Sequence, residues 1–150
     1  MIGSSNDSVL FDTNILVYSY DVNSPNHKVA QKLRDAVNEG KMKAAIAPQN
    51  LLELYSTITN VAKNENPASP NEAILEVKKF LASRFELIEL SGRELETTLL
   101  LIKGNHVTSR RIFDVYLVAT MLSNGIKTIY TANERDFEIF KGIKAVNPFK

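Results

Sequence analysis

The sequence predicts an α/β protein in which a parallel sheet carries helices on both faces, and three observations lead there. Short apolar runs, several of them rich in β-branched residues, recur at Val9–Phe11, Lys43–Ala47, Phe85–Leu90 and Lys127–Thr131. Between them lie longer segments with apolar residues at helical spacing. Strand and helix alternate along the chain, the pattern that βαβ crossovers impose on a parallel sheet.

The elements follow in order. Val9, Leu10 and Phe11 read as a buried strand, and Asn14–Tyr20 continues apolar at helical spacing. Ser24 and Pro25 suggest an N-cap and first helical position for a helix through Val29, Leu33 and Val37 to Gly40. Lys43–Ala47 is a strand closed by Pro48, and Gln49–Lys63 a helix presenting Leu51, Leu52, Leu54, Tyr55, Ile58 and Val61. Residues 64–73, NENPASPNEA, form a surface loop too short to separate domains. Asn71–Ser83 is an amphipathic helix with Ala73, Ile74, Val77, Phe80 and Leu81 inward, and Phe85–Leu90 a third strand. Ser91 with Glu94 makes a capping box for a helix from Gly92 to Lys103. Residues 112–125 are apolar nearly all round, a buried helix stopped by Gly125. Lys127–Thr131 is the next strand, TANERDFEIF a loop with a helical turn, and Ile143–Phe149 an edge strand.

Size and composition bound the function. A chain of 150 residues, 44% hydrophobic and 23% charged, is expected to be one soluble domain spanning 1–150. It has no cysteine, which excludes disulfides, thiolate catalysis and cysteine-based zinc sites. No run approaches the roughly 18 apolar residues of a membrane span. The start MIGSSNDSVLF lacks a basic region followed by a long apolar one, so no secretory signal is read and a cytoplasmic location is expected. With a net charge of +1, any nucleic-acid binding must come from local patches.

Chemistry is concentrated in isolated acids. Asp12 ends the first strand, Glu53 rides in an apolar helix, and Asp114 is the only charge in residues 112–125. Asp136 follows the strand Lys127–Thr131. Each has an ordinary explanation: Asp12 as a cap, Glu53 as a solvated or paired helix residue, Asp114 and Asp136 at helix starts, where the macrodipole favours negative charge. Together they suggest more, because an open α/β sheet gathers strand ends from distant parts of the chain into one crevice. Carboxylate oxygens without cysteine or histidine suit Mg2+ or Mn2+. Lys103, His106, Arg110 and Arg111 form the most basic local segment, immediately before Asp114, where they could hold an RNA backbone.

The set FDTN, LLELYS, IFDVYLVATM, TANERDF and the closing NPF resembles the PIN-domain family, especially the toxin ribonucleases of toxin–antitoxin pairs, over almost the whole chain. The resemblance implies a three-layer α/β/α sandwich on a mostly parallel sheet. It implies a metal-dependent endoribonuclease using Mg2+ or Mn2+, with Asp12, Glu53 and Asp114 as its regular acidic ligands and Asp136 as the more variable fourth. Thr131 and Asn14 match polar positions beside that site, and Asn133 stands where some relatives carry an acid. With Arg110, Arg111 and His106 they complete the expected substrate contacts. RNA, an antitoxin protein and a second copy in a homodimer are the partners it implies.

Other functions fit less well. A catalytically inactive PIN-like module binding RNA or protein is the alternative, opposed by the retention of all four acids. A receiver-like phosphoacceptor pocket lacks its central-strand aspartate in AAIAP, and a DxD phosphatase lacks its second acid at Asn14. Neither His27 nor His106 has triad partners at an interpretable spacing, and no phosphate-cradling glycine loop is present.

Overall fold

The computed structural model describes residues 7–150; residues 1–6, which belong to the stretch on which the absence of a secretory signal was read, lie outside the described residues. Five short strands, β1 (Val9–Phe11), β2 (Ala44–Ile46), β3 (Glu86–Leu87), β4 (Thr128–Tyr130) and β5 (Lys144–Val146), form one sheet in the order β3-β2-β1-β4-β5. Every pairing is parallel, with Val9 opposite Ala44 on one side and Thr128 on the other. The chain leaves β1 toward β2 and later returns to add β4 on the opposite side. A topological switch point therefore lies between β1 and β4, where crevices open at the carboxyl ends of parallel strands.

Alternation along the strands sorts the side chains into two cores. Phe11, Ala44 and Ile46 face a cluster built with α1 (Thr13–Tyr20), α2 (His27–Asn38), α3 (Pro48–Ile58) and α4 (Pro70–Leu81). Leu10, Ala45 and Ile129 face the other way, onto α5 (Glu94–Ile102), α6 (Arg111–Ser123) and Phe137 and Phe140. Both faces of the sheet are thus covered, as the alternation of elements required. Among the described residues no helix is long and apolar enough to cross a membrane.

Element ends differ from the expectation where turn chemistry competes. α2 begins at His27, not Pro25, because Ser24 Oγ accepts from the Asn26 amide and holds a turn ahead of the helix. α3 takes Pro48 as its first residue and stops at Ile58, where a turn replaces the expected continuation to Lys63. α4 starts at Pro70 rather than Asn71. Ser69 Oγ accepts from the Glu72 amide at 3.1 Å and Glu72 returns a carboxylate to the Ser69 amide at 2.9 Å. Only half of the expected Ser91 box forms: Glu94 accepts from the Ser91 amide, but Ser91 Oγ turns to the Arg93 amide and α5 opens at Glu94. The stop after α6 is as expected. Gly125 adopts φ 70°, and Ile126 donates to the Met121 carbonyl at 3.0 Å, closing a Schellman turn.

The inner face of α4 also departs from the apolar pattern. Ile74 and Leu81 are exposed, while Glu76 is buried. Arg34 on α2 explains this: its guanidinium donates to Glu76 at 2.6 Å, reaches Ser19 Oγ at 3.2 Å, and lies 4.0 Å from the centre of the Phe80 ring. A buried ion pair of this kind is costly to break from one side. We predict that Arg34→Met lowers stability by about 3–5 kcal/mol in urea denaturation, and that adding Glu76→Leu recovers most of the loss.

Candidate active site

Asp12 sits where β1 becomes α1. Its amide donates to the Tyr130 carbonyl at 2.9 Å, extending the β1–β4 ladder by one step. Its backbone is extended and its side chain caps the helix, with one carboxylate oxygen accepting from the Thr13 amide at 2.8 Å. The other oxygen accepts from Thr131 Oγ1 at 2.8 Å and lies 3.4 Å from Asn14 Nδ2. Burial raises the Asp12 pKa, the bonds from Thr131 and Thr13 oppose that, and the charges of Glu53 and Asp136 add to the rise.

The other acids arrive from three separate elements. Glu53, in the middle of α3, accepts from Thr13 Oγ1 at 2.8 Å, and Thr13 Oγ1 accepts in turn from Asn50 Nδ2 at 3.1 Å. Glu53 is thereby tied to the residue next to Asp12. Asp114 lies in the first turn of α6, and among the described residues no donor is bonded to its carboxylate. Its pKa is pushed up to about 6 by burial first, then by Asp12, Asp136 and Glu53, against a smaller lowering by Arg111. Asp136 belongs to the 3-10 turn Glu134–Phe137 that follows β4.

A cleft of about 340 Å³ brings three of these acids together, lined by Asp12, Asp114 and Asp136 with Thr13, Asn14, Val17, Tyr18, Thr57 and Asn133. Glu53 joins through Thr13, and itself lines a larger apolar groove of about 610 Å³ between α3, α5 and α6. No ion pair among the described residues reaches any of the four acids.

The polar residues divide. Thr131 is fully buried and bonded to Asp12, and Asn14 bridges Asp12, Thr131 and the Ala132 amide, so both hold the acid in place. Of the basic segment, Arg111 stands at the site, donating to the Asp136 carbonyl at 3.1 Å. Arg110 and His106 are exposed at the start of α6 and in the loop before it. Sequence reasoning passed over Thr13, Asn50, Thr57 and Tyr18. A signal existed: Asn50, Glu53 and Thr57 fall at i, i+3 and i+7, one polar stripe on α3, and Tyr18 lies one helical turn beyond Asn14 on α1.

Among the described residues no three His, Asp or Glu side chains already close around a point as a cage would. The donor set still fits a hard divalent cation. Mg2+ takes only one or two carboxylates and keeps several waters, and Asp114 and Asp136 present oxygens to a cleft where negative charge is in excess.

That excess has a consequence for stability. A carboxyl whose folded pKa exceeds its unfolded value contributes fully only below the unfolded value, and the contribution is lost as pH rises through the folded one. For Asp114 the window runs from 3.8 to about 6. In metal-free buffer above pH 6, Asp114→Asn should therefore be no less stable than the parent, and more stable by up to about 1 kcal/mol after solvent screening. Melting curves in EDTA from pH 4 to 7 check this. The gain should vanish toward pH 4; a variant less stable than the parent throughout would show that the charge serves the helix start instead.

Comparison with known proteins adds the lineage. Residues 9–142 match the PIN domain. Ribonuclease VapC24 of Mycobacterium tuberculosis is 26% identical over 129 residues, which cover 86% of this chain and 88% of the relative. Among solved structures, VapBC2 from Rickettsia felis bound to a promoter DNA fragment aligns with a TM-score of 0.66 at 18% identity, covering 93% of this chain and 97% of that one. VapC20 of M. tuberculosis, a sarcin-ricin loop cleaving toxin, aligns with a TM-score of 0.57 at 14% identity over 81% of this chain and 87% of its own. The fold is shared with both solved structures, and the family match runs from the first strand past Asp136. The chain belongs to the PIN-domain family.

Proposed function

We propose that this protein is a metal-dependent endoribonuclease, the toxin of a toxin–antitoxin pair, with Asp12, Glu53, Asp114 and Asp136 forming its Mg2+ or Mn2+ site. The observation that carries this reading is the convergence of three carboxylates from separate segments on one cleft, with the fourth tied in through Thr13 and no ion pair to any of them among the described residues. A bound divalent ion would supply Lewis-acid stabilisation of a phosphodiester and activation of water at neutral pH.

The chain's own residues set the terms of that chemistry. Thr131 and the Thr13 amide favour the ionised form of Asp12 despite its burial. Asn50 and Thr13 hold the Glu53 carboxylate beside Thr13, the neighbour of Asp12. Asp114, its pKa pushed up to about 6 by burial and the neighbouring acids, would be drawn back to its charged form by a nearby cation. Arg111 has guanidinium donors beyond the one bonded to the Asp136 carbonyl, and these would be available to a phosphate placed beside Asp114. Arg110 and His106 would contact the RNA backbone farther out. An antitoxin partner is supported by the likeness in fold to a toxin–antitoxin complex from Klebsiella pneumoniae.

Defined RNAs incubated with and without Mg2+ or Mn2+ test the reading. Cleavage should require the ion and stop in EDTA, and Asp114→Asn should lose at least about 100-fold in rate, the order seen when charge-stabilising machinery is removed. Binding of RNA without cleavage under any ion would instead favour the inactive module.

The proposal includes a homodimer. Leu52 on α3 is 73% exposed and Phe113 on α6 55%, on the rim of the larger groove, with Leu95 and Leu99 exposed on α5. Exposed apolar side chains gathered this way commonly mark an interaction surface. Sedimentation at tens of micromolar should show a dimer, and Leu52→Glu should convert it to monomer; a wild-type monomer at that concentration would remove this part of the reading.

A further inference from the structure

We propose that the uncharged half of the acidic cleft is a nucleobase subsite, in which Tyr18 supplies the stacking face for an unpaired nucleotide next to the scissile phosphate. The inference rests on the nuclease reading above and adds the residue that holds the base.

The cleft has two chemical halves. Asp12, Asp114 and Asp136, with Thr13, Asn14 and Asn133 beside them, make one; Val17 and Tyr18, three and four residues beyond Asn14 on α1, and Thr57, four residues beyond Glu53 on α3, lie a helical turn further along and make the other. At about 340 Å³ it lies at the small end of ligand pockets, which begin near ~300 Å³, and suits one nucleoside better than a base pair. A phosphate belongs with the acids and their cation, so the base attached to that phosphate has the second half to enter. Aromatic faces are the usual platform for an unstacked base.

Tyr18 is built for that position. It follows Asn14 by one helical turn on α1 and so shares the face that looks onto Asp12. Its ring, partly buried against the apolar core, stands at 84° to Phe149 with centroids 5.3 Å apart and still lines the cleft. Phe149 is itself fixed: its amide donates to Asn147 Oδ1 at 2.9 Å, and Asn147 Nδ2 donates to the Ala132 carbonyl at 3.2 Å. His27 Nδ1 lies 2.8 Å from the Tyr18 carbonyl oxygen, anchoring the backbone behind the ring. The hydroxyls of Tyr18 and Thr57 are bonded to no group among the described residues, and no side-chain polar atom among them is both buried and unpartnered. Both hydroxyls therefore remain available at the cleft. A hydroxyl donates or accepts equally well, so the subsite should tolerate several bases.

Stacking on Tyr18 requires an unpaired base beside the cut, so a short single-stranded RNA is the probe. Steady-state cleavage of a short single-stranded RNA with Mn2+ tests this, using wild type, Tyr18→Phe and Tyr18→Leu, each with an abasic nucleotide placed in turn on either side of the cut. Tyr18→Leu should raise KM by about 5- to 150-fold, the span of one base–aromatic stack, with kcat held within about 3-fold. Tyr18→Phe should keep both values within about 3-fold. One abasic position should cost the wild type a similar factor and cost Tyr18→Leu nothing further. Penalties that multiply, or a Tyr18→Leu variant equal to wild type, would overturn the subsite while leaving the nuclease intact. If Tyr18→Leu does not fold, the wild type decides alone: indifference to the abasic nucleotide on both sides overturns the proposal. Absence of any metal-dependent cleavage by the wild type would overturn the nuclease reading and this inference with it.

Discussion

The bond between Thr131 and Asp12 is the constraint on which the cleft depends. It joins the ends of two adjacent strands across the switch point of the sheet, and it is reinforced from the backbone by the Asp12 amide on the Tyr130 carbonyl. Asp12 has to serve as strand terminus, helix cap and member of an acidic site at once. Those roles are compatible because the carboxylate has two oxygens: one closes the helix onto Thr13, and the other is held by Thr131 with Asn14 nearby. The position of α1, and with it Thr13, Asn14 and Tyr18, follows from that division.

Thr13 extends the arrangement to α3. A single hydroxyl accepts from Asn50 and donates to Glu53, so the orientation of its proton is set and the Glu53 carboxylate is aimed by a donor rather than by packing. Asn50 is fully buried and its other end accepts from the Ala47 amide at the start of α3. The helix start and the acid three residues later are therefore positioned together. An isolated glutamate in an apolar helix acquires a defined location without an ion pair.

Much of this was legible in the residues, for identifiable reasons. The parallel sheet was readable because its strands are short, apolar and separated by helix-length segments, and the acids stood out because each interrupts an apolar context. Element ends were less readable, since Ser24 and Ser91 can each satisfy either a helix start or a turn before it, and only tertiary packing chooses. Glu76 was not readable as a core residue. Its partner Arg34 lies 42 positions away on another helix, and no local pattern couples them. The same holds for Thr13 and Asn50, whose relay exists only once α1 and α3 are side by side. The cleft's acids could be nominated from the sequence, whereas the groups that aim them belong to contacts between elements.

The scatter of these groups along the chain has a temporal consequence. Asp12 is made early, but Thr131, which holds it, and Asp136, which shares its cleft, lie near the other end of the chain. β4 also supplies the carbonyl that receives the Asp12 amide, and β5 closes the sheet beyond it. A growing polypeptide short of residue 131 has the first three acids and the Thr13–Glu53 bond, but not the strand that holds Asp12. The cleft therefore comes into being only when β4 docks beside β1, after the helices that carry Glu53 and Asp114 have been made.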